Sequence, residues 1–268
     1  MERRNVFASV NGLQVHHVID GPEGAPWVTF VTGIANDVTM WGGQVAALAG
    51  NYRVLRYDLR GQGRTAPTPG PYSIASLGAD LIGLWDALGI RQSHLVGLGL
   101  GASIALGVAI EHPQRLRSLV PCCCRAQMVP EFAAMWHTLY DTVAAGGVEA
   151  IVEQTAQRWF TEDFKAANPQ VLDAVRAMIR ATSREGYLGV VSAFLGLALQ
   201  DRIDRIKTPT LFIGGADDKM GGPATLMQGL AERVPGARYS AVPNAAHIAN
   251  IQNPDGYNAI LKTFLVAH

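Results

Sequence analysis

The stretch His94-Leu95-Val96-Gly97-Leu98-Gly99-Leu100-Gly101-Ala102-Ser103 determines how the rest of the chain is interpreted. It runs from a β-rich apolar segment through a glycine-rich turn into an apolar segment with the character of a helix. Glycine at such a turn permits backbone conformations that cost a residue with a side chain about 1–3 kcal/mol. Two kinds of site are built on a strand, a glycine turn and a helix of this form.

The first candidate is a dinucleotide-binding turn, whose fingerprint G-x-G-x-x-G/A is matched by Gly97, Gly99 and Ala102. Such a site needs an acidic residue about 20 residues later, at the end of the next strand, to bind a ribose. The next apolar run instead ends in Pro121 and the cysteines at 122–124. The turn also lies far from the first strand of the chain, so this interpretation is the weaker one and we expect no cofactor.

The second candidate is a nucleophile elbow, G-x-S-x-G, in which a strained turn lifts the central side chain into an active site. Gly97 and Gly101 supply the outer glycines, but Gly99 stands where the nucleophilic serine would be. Glycine adopts the elbow conformation without strain, so this exchange removes the nucleophile while it relaxes the backbone.

Two later strand ends supply other groups that acyl-transfer chemistry needs. Residues 210–218 are typical of a strand ending in Asp217 and Asp218, and His247 follows the next short strand. The chain order elbow, Asp, His is that of the α/β-hydrolases, in which the Asp orients the His and the His acts as general base. We predict that His247 is the base and Asp218 its partner, with Asp217 as the competing carboxylate.

Hydrolysis of this kind also needs backbone N–H groups directed at the developing oxyanion. Leu100, directly after the central glycine, is the predicted first donor, and Ile34, in the loop after residues 28–31, is the candidate for the second. Gly33 is equally consistent with an ordinary turn glycine.

The flanking sequence predicts an α/β fold with a mostly parallel sheet flanked by helices. Short β-rich runs alternate with helical patterns, which is typical of a parallel sheet covered on both faces. These runs are residues 28–31, 52–57, 94–96, 116–120 and 209–214. Leu77, Leu81, Leu84 and Leu88 recur with helical spacing before Gly89.

Residues 128–201 interrupt this alternation with helical periodicity and many aromatic residues. We predict an inserted helical cap at 128–201 and an α/β-hydrolase core formed by 1–127 and 202–268. Most cap aromatics are expected to pack the cap on the core. Trp136 and Trp159 are the candidates for lining a substrate pocket.

Composition restricts the class of ligand. The chain has 268 residues, 49% of them hydrophobic, and 22 basic residues balance 22 acidic ones. No net field attracts nucleic acid or an anionic membrane, so we expect a small-molecule substrate and leave the oligomeric state open. Residues 1–7 lack the apolar core of a signal peptide. The three adjacent cysteines suit neither disulfides nor a metal site, and together these features favour the cytoplasm.

Several segments indicate a particular family and not only a fold. In these segments the chain resembles the 3-oxoadipate enol-lactonases of the α/β-hydrolase superfamily. These segments are residues 56–63, 70–74, 88–90, 158–164 and 181–187. The resemblance implies a Ser-His-Asp triad that opens a small, carboxylate-bearing enol-lactone without a cofactor. By position it assigns His247 as base, Asp218 as orienting acid, and Leu100 with Ile34 as oxyanion donors.

The chain departs from that family at several strand ends. Gln62 stands where His is usual, Thr32-Gly33 where Asn-Ser or His-Gly is common, and Cys123-Cys124 where Asn-Thr is usual. These exchanges imply a reshaped pocket. We interpret the cysteines as small buried apolar residues in preference to a replacement nucleophile, and expect Ser103 to pack inside its helix.

Three functional hypotheses remain. In the first, the protein is a hydrolase of small carboxylic esters or lactones, with Gly99 an engineered or natural replacement of the serine. In the second, it is a serine-free enzyme that uses His247 and Asp218 as a general base for hydrolysis, C–C cleavage, elimination or cofactor-free oxygenation. In the third, it is a pseudo-hydrolase that binds a ligand without catalysis.

Overall fold

Eight strands form one sheet in the computed structural model, which describes residues 6–268. Their spatial order is β1-β2-β4-β3-β5-β6-β7-β8; β1 and β2 run antiparallel to their neighbours, and the pairs from β4 to β8 are parallel. The strands are β1 (Val6–Val10), β2 (Leu13–Asp20), β3 (Trp27–Val31), β4 (Arg53–Tyr57), β5 (Ser93–Leu98), β6 (Leu116–Cys122), β7 (Leu211–Gly215) and β8 (Arg238–Val242). The expected α/β fold, with a mostly parallel sheet flanked by helices, is confirmed. The interpretation that residues 1–7 lack the apolar core of a signal peptide concerns mainly residues 1–5, which lie outside the described part of the chain.

Eleven α-helices join and flank the strands within the described chain. They are α1 (Gly42–Leu48), α2 (Ile74–Ala87), α3 (Leu100–Glu111), α4 (Pro130–Gly146), α5 (Val152–Trp159), α6 (Glu162–Ala167), α7 (Pro169–Arg180), α8 (Arg184–Leu195), α9 (Ala224–Arg233), α10 (Ala249–Gln252) and α11 (Pro254–Val266). Short 3₁₀ turns lie at Val38–Trp41, Pro113–Arg115, Val148–Ile151 and Gln200–Arg205. None of the helices between residues 6 and 268 has the length and apolarity needed to cross a membrane.

The central strand β5 is buried along its whole length, between β3 and β6. A strand covered on both faces has no solvent side, which explains why its sequence is apolar without alternation. A buried polar chain fixes α2 to this region: Trp85 Nε1 donates to Thr29 Oγ1 (3.0 Å), and Thr29 Oγ1 lies 2.9 Å from Ser93 Oγ. This chain ties α2 to β3 and to the amino end of β5, whose carboxyl end leads into α3.

The segment between β6 and β7 contains the five helices α4–α8. Apart from one isolated bridge between Gln127 and Ala198, residues 128–201 contain no strand pairing. Its contact with the loop after β4 is made backbone to backbone, because a Cβ on Gly186 would lie 2.1 Å from the Gly61 carbonyl oxygen. Ser183 reinforces the contact, since its N–H and its hydroxyl both donate to that oxygen.

The Gly61–Gly186 approach gives a stability prediction. Gly186→Ala should lower the free energy of unfolding by about 1–3 kcal/mol, because the backbone atoms of Gly61 cannot move aside for the new methyl group. Gly229→Ala is the matched control, since Gly229 also lies in a helix but has no atom within 4 Å of its Cβ position. That control should gain about 0.5–1 kcal/mol. Urea unfolding of both variants measures the difference. Equal stability of the two variants would contradict the close backbone contact at Gly186.

Candidate active site

Gly99 forms the turn between β5 and α3, with φ 58° and ψ −119°. This positive φ is unfavourable for a residue with a side chain. The Gly99 N–H donates to the carbonyl oxygen of Cys122 (3.0 Å), and its own carbonyl accepts from Ala102 and Ser103. The turn is therefore joined to the neighbouring strand β6 and to the first turn of α3.

His247 lies in the loop after β8, and its ring faces the turn. A Cβ built on Gly99 would lie 3.5 Å from His247 Nε2, an ordinary van der Waals distance. The other ring nitrogen, Nδ1, lies 3.0 Å from Asp218 Oδ2. Because a carboxylate accepts hydrogen bonds, this contact assigns the proton to Nδ1 and leaves Nε2 as the basic nitrogen facing Gly99.

Asp218 follows β7 and is buried, whereas its neighbour Asp217 is exposed. Its Oδ1 accepts from the N–H groups of Met220 and Gly221, and its Oδ2 accepts from Gly222 as well as His247. Burial acts to raise the pKa of Asp218, but the electrostatic attraction and hydrogen bond of the His247 ring, together with the backbone hydrogen bonds, outweigh it and hold the pKa well below its ordinary value. The structure thus brings Asp218, and not Asp217, to His247.

The glycines after Asp218 were not singled out from the sequence, yet they shape the site. A Cβ on Gly221 would lie 2.0 Å from His247 Cε1, and one on Gly222 would lie 2.6 Å from the Cys123 carbonyl carbon. The backbone at 221–222 therefore packs directly on the imidazole ring and on the end of β6. A Gly-Gly pair three residues after an Asp in the turn that follows a strand is the sequence signal for such a close approach.

Ile34 and Leu100, the two predicted oxyanion donors, follow the ends of β3 and β5. Leu100 is the first residue of α3, where N–H groups have no partner inside the helix, and Ile34 follows β3. Neither N–H bonds to an acceptor within residues 6–268. Both residues line the cavity together with Gly99 and His247, so the predicted oxyanion donors and the predicted base share one space.

Trp136 and Trp159 both line this cavity, as do Phe132 and Phe194 from the same segment. Phe132, Trp136 and Phe194 meet edge to face, with centroids 5.2–6.2 Å apart. Such contacts fix the rings against one another. This part of the wall is consequently apolar and closely packed.

The three cysteines are buried at the end of β6. Burial raises the pKa of the Cys122 thiol to about 12 and those of Cys123 and Cys124 well above their ordinary value. Thiols rather than thiolates are thus present at neutral pH, which agrees with apolar packing and disfavours a nucleophile.

Cys123, Asp218 and His247 place possible metal-ligand atoms within 4.8 Å of one another. The Asp218 oxygens, however, already accept three backbone bonds and the His247 bond. A cation would have to break the His–Asp contact, so this donor set fits a hydrogen-bond network better than a metal. Ser103 packs in α3 as expected, with Oγ 2.9 Å from the Arg125 carbonyl oxygen.

Comparison with known proteins agrees with this geometry. Residues 26–254 match the family model described as "alpha/beta hydrolase fold". The chain is 28% identical over 249 residues to "3-oxoadipate enol-lactonase 1" of Acinetobacter baylyi, covering 92% of this chain and 91% of the relative. It is 30% identical over 261 residues to "Putative carbamate hydrolase RutD" of Caulobacter sp. (strain K31), covering 96% and 97%. The crystal structure of the enol-lactonase from Burkholderia xenovorans LB400 superposes with a TM-score of 0.93 at 34% identity, covering 97% of this chain and 99% of that one.

The environment of Asp218 predicts a pH-dependent contribution to stability. Asp218→Asn should lower the free energy of unfolding by about 2–4 kcal/mol at pH 7, because the charged acceptor of several hydrogen bonds is lost. The folded-state pKa lies below the unfolded value of about 3.9. The difference between wild type and variant should therefore be complete above that pH and shrink as the pH falls toward the folded pKa.

Asp217→Asn is the control for this measurement, because it makes the same chemical change at an exposed neighbour. It should alter stability by no more than about 0.5 kcal/mol at any pH. Urea unfolding at several pH values between 3 and 7 provides the comparison. Equal effects of the two substitutions would contradict the hydrogen-bonded role of Asp218.

Proposed function

The chain belongs to the alpha/beta hydrolase fold family, and from this premise we propose that it hydrolyses small carboxylic esters or lactones at the Gly99–His247 site. One observation carries the proposal. The basic nitrogen of His247 faces the Gly99 turn at a cavity that Ile34 and Leu100 also line. A base, an oxyanion site and room for a small nucleophile thus adjoin one cavity.

Water is the nucleophile that this geometry admits. In the proposed reaction, His247 Nε2 removes a proton from water as the water oxygen bonds to the carbonyl carbon. The Ile34 and Leu100 N–H groups stabilise the oxyanion that forms. When the oxyanion collapses, the bond to the leaving oxygen breaks, and the proton held at Nε2 passes to that oxygen. Asp218 keeps the imidazole in the required tautomer and stabilises its charged form.

The named relatives support the hydrolase class and leave the acyl group open. Two of them are named enol-lactonases, and another bears the name "Putative carbamate hydrolase RutD". Esters, lactones and carbamates all react through a tetrahedral oxyanion, for which the same donors serve. Trp136 and Trp159 would contact the apolar part of the substrate.

A second candidate function rests on the glycine itself. A base that faces open space, without a nucleophile between it and the substrate, can also remove a proton from the substrate. C–C cleavage, elimination or cofactor-free oxygenation would then use the same His247–Asp218 pair. Loss of hydrolysis with retention of His247-dependent proton abstraction would favour this alternative over the first.

Hydrolysis of p-nitrophenyl acetate and of a small γ-lactone tests the proposal. The protein as it stands should turn over slowly, and His247→Ala should reduce the rate by about 10²–10⁴-fold, the usual worth of general-base catalysis. His137→Ala, at an exposed histidine of α4, is the matched control and should leave the rate unchanged. An unchanged rate in His247→Ala would exclude the proposed base.

Gly99→Ser completes the test. The serine side chain has room, and the positive φ at position 99 should lower the free energy of unfolding by about 1–3 kcal/mol. We expect faster turnover and an acyl adduct detectable by mass spectrometry in Gly99→Ser but not in the unaltered protein. Activity confined to Gly99→Ser would instead identify the present chain as a non-catalytic binder on an intact scaffold.

A further inference from the structure

Two loops at the carboxyl edge of the sheet lie side by side near the candidate active site. The β3 loop, residues 32–37, contains Ile34, and the β4 loop, residues 58–66, follows the strand that pairs with β3. Ala35 in the β3 loop has φ 58°, a left-handed conformation in a residue that is not glycine. Such a backbone persists only where its surroundings hold it in place. The contacts of the β3 loop therefore determine where Ile34 lies.

The side chain of Gln62 in the β4 loop makes one of these contacts. Its amide oxygen accepts a hydrogen bond from the Asn36 N–H (3.2 Å), which has no other acceptor within residues 6–268. Gln62 and Asn36 are both buried, so bulk water does not offer a replacement partner. Asn36 directly follows Ala35, so this bond holds the backbone next to the left-handed residue.

The residue before Gln62 contacts the inserted helices. The Gly61 carbonyl oxygen accepts from both the N–H (3.1 Å) and the hydroxyl (3.0 Å) of Ser183, which caps α8. A Cβ on Gly61 would lie 2.1 Å from the Gly186 Cα, so no side chain separates the two backbones. A displacement of α8 is therefore taken up by the backbone at Gly61, which is bonded directly to Gln62.

The ends of the two loops are held separately by one buried carboxylate, Asp58. Its Oδ1 accepts from the Val38 N–H (2.8 Å), just after the β3 loop. Its Oδ2 accepts from the Arg64 N–H (2.9 Å) and lies 2.6 Å from His16 Nδ1. Within the described chain, the bond between Gln62 and Asn36 is the hydrogen bond that joins the middle parts of the loops.

We infer that Gln62 is a positioning residue that couples the contact of α8 with the β4 loop to the β3 loop, and thereby to Ile34. The inference rests on the proposed function, in which the Ile34 N–H stabilises the oxyanion. Gln62 acts through Asn36, which lines the cavity together with Ile34. Coupling of this kind is demonstrated by non-additive effects of substitutions at its two ends.

Hydrogen exchange of the Asn36 amide, followed by NMR, tests the coupling without requiring turnover. Gln62→Met removes the acceptor at similar size and should speed this exchange about 2–10-fold, the usual worth of one hydrogen bond. Gln62→Glu keeps an oxygen acceptor and should retain most of the protection. Ser183→Ala should also speed exchange at Asn36, although Ser183 bonds to Gly61 and not to the β3 loop.

Ser73→Ala is the matched control, because Ser73 also caps a helix, α2, and has no hydrogen bond to either loop. It should leave exchange at Asn36 unchanged. Amides of the buried strand β5 report global unfolding and should exchange equally in all variants once corrected for stability. The double variant Gln62→Met/Ser183→Ala should exchange no faster at Asn36 than Gln62→Met alone. Additive effects, or unchanged exchange in Gln62→Met, overturn the inference.

Hydrolysis of p-nitrophenyl acetate separates this inference from the proposed function. Gln62→Met should lower kcat about 10-fold with little change in KM, because a displaced oxyanion donor acts on the transition state and not on the bound ester. Coupled exchange at Asn36 without any His247-dependent hydrolysis supports the coupling and removes the hydrolase. His247-dependent hydrolysis whose kcat is the same in Gln62→Met supports the hydrolase and removes the positioning role.

Discussion

The backbone conformation at Gly99 is the constraint on which the rest of the site depends. With φ at 58°, the chain turns sharply enough that its N–H reaches strand β6 while its carbonyl starts helix α3. The same turn brings Leu100 to the cavity and leaves Gly99 facing His247. A residue with a side chain would be strained in this geometry, whereas glycine adopts it freely. The fold therefore forms a sharp strand-to-helix turn at Gly99 without local strain.

The His247–Asp218 pair, by contrast, requires a buried charge to be stabilised. Asp218 is buried and charged, which is unfavourable unless its oxygens are fully bonded. Three backbone N–H groups and the imidazole supply those bonds, and the Gly221–Gly222 backbone fits closely enough to deliver them. This network orients Nε2 toward a space that contains no side chain. Such an arrangement suits a small bound nucleophile, and it explains why water is the reagent in the proposed reaction.

The features that sequence reasoning could predict depend on local pattern and chain order. Apolar runs located β3 to β7 to within a few residues, although β6 continues to Cys122 because it pairs with β5 as far as Leu98. Motif position selected Asp218 over Asp217 as the partner of His247, and only the structure shows the two side chains in contact. The approach of Gly186 to Gly61 and the position of Arg125 in the cavity were not predicted. Both result from contacts between segments distant in the chain, which periodicity and spacing do not encode.

The electrostatics of the cavity bear on the proposed chemistry. The whole chain is neutral, yet the cavity wall contains the guanidiniums of Arg125 and Arg158, while the Asp218 charge is already engaged by His247 and the backbone. Negative charge on a carbonyl oxygen is costly where water is excluded unless donors or cations face it. In the proposed reaction the Ile34 and Leu100 amides would act on that charge directly, because the one buried carboxylate beside His247 is already engaged by other groups.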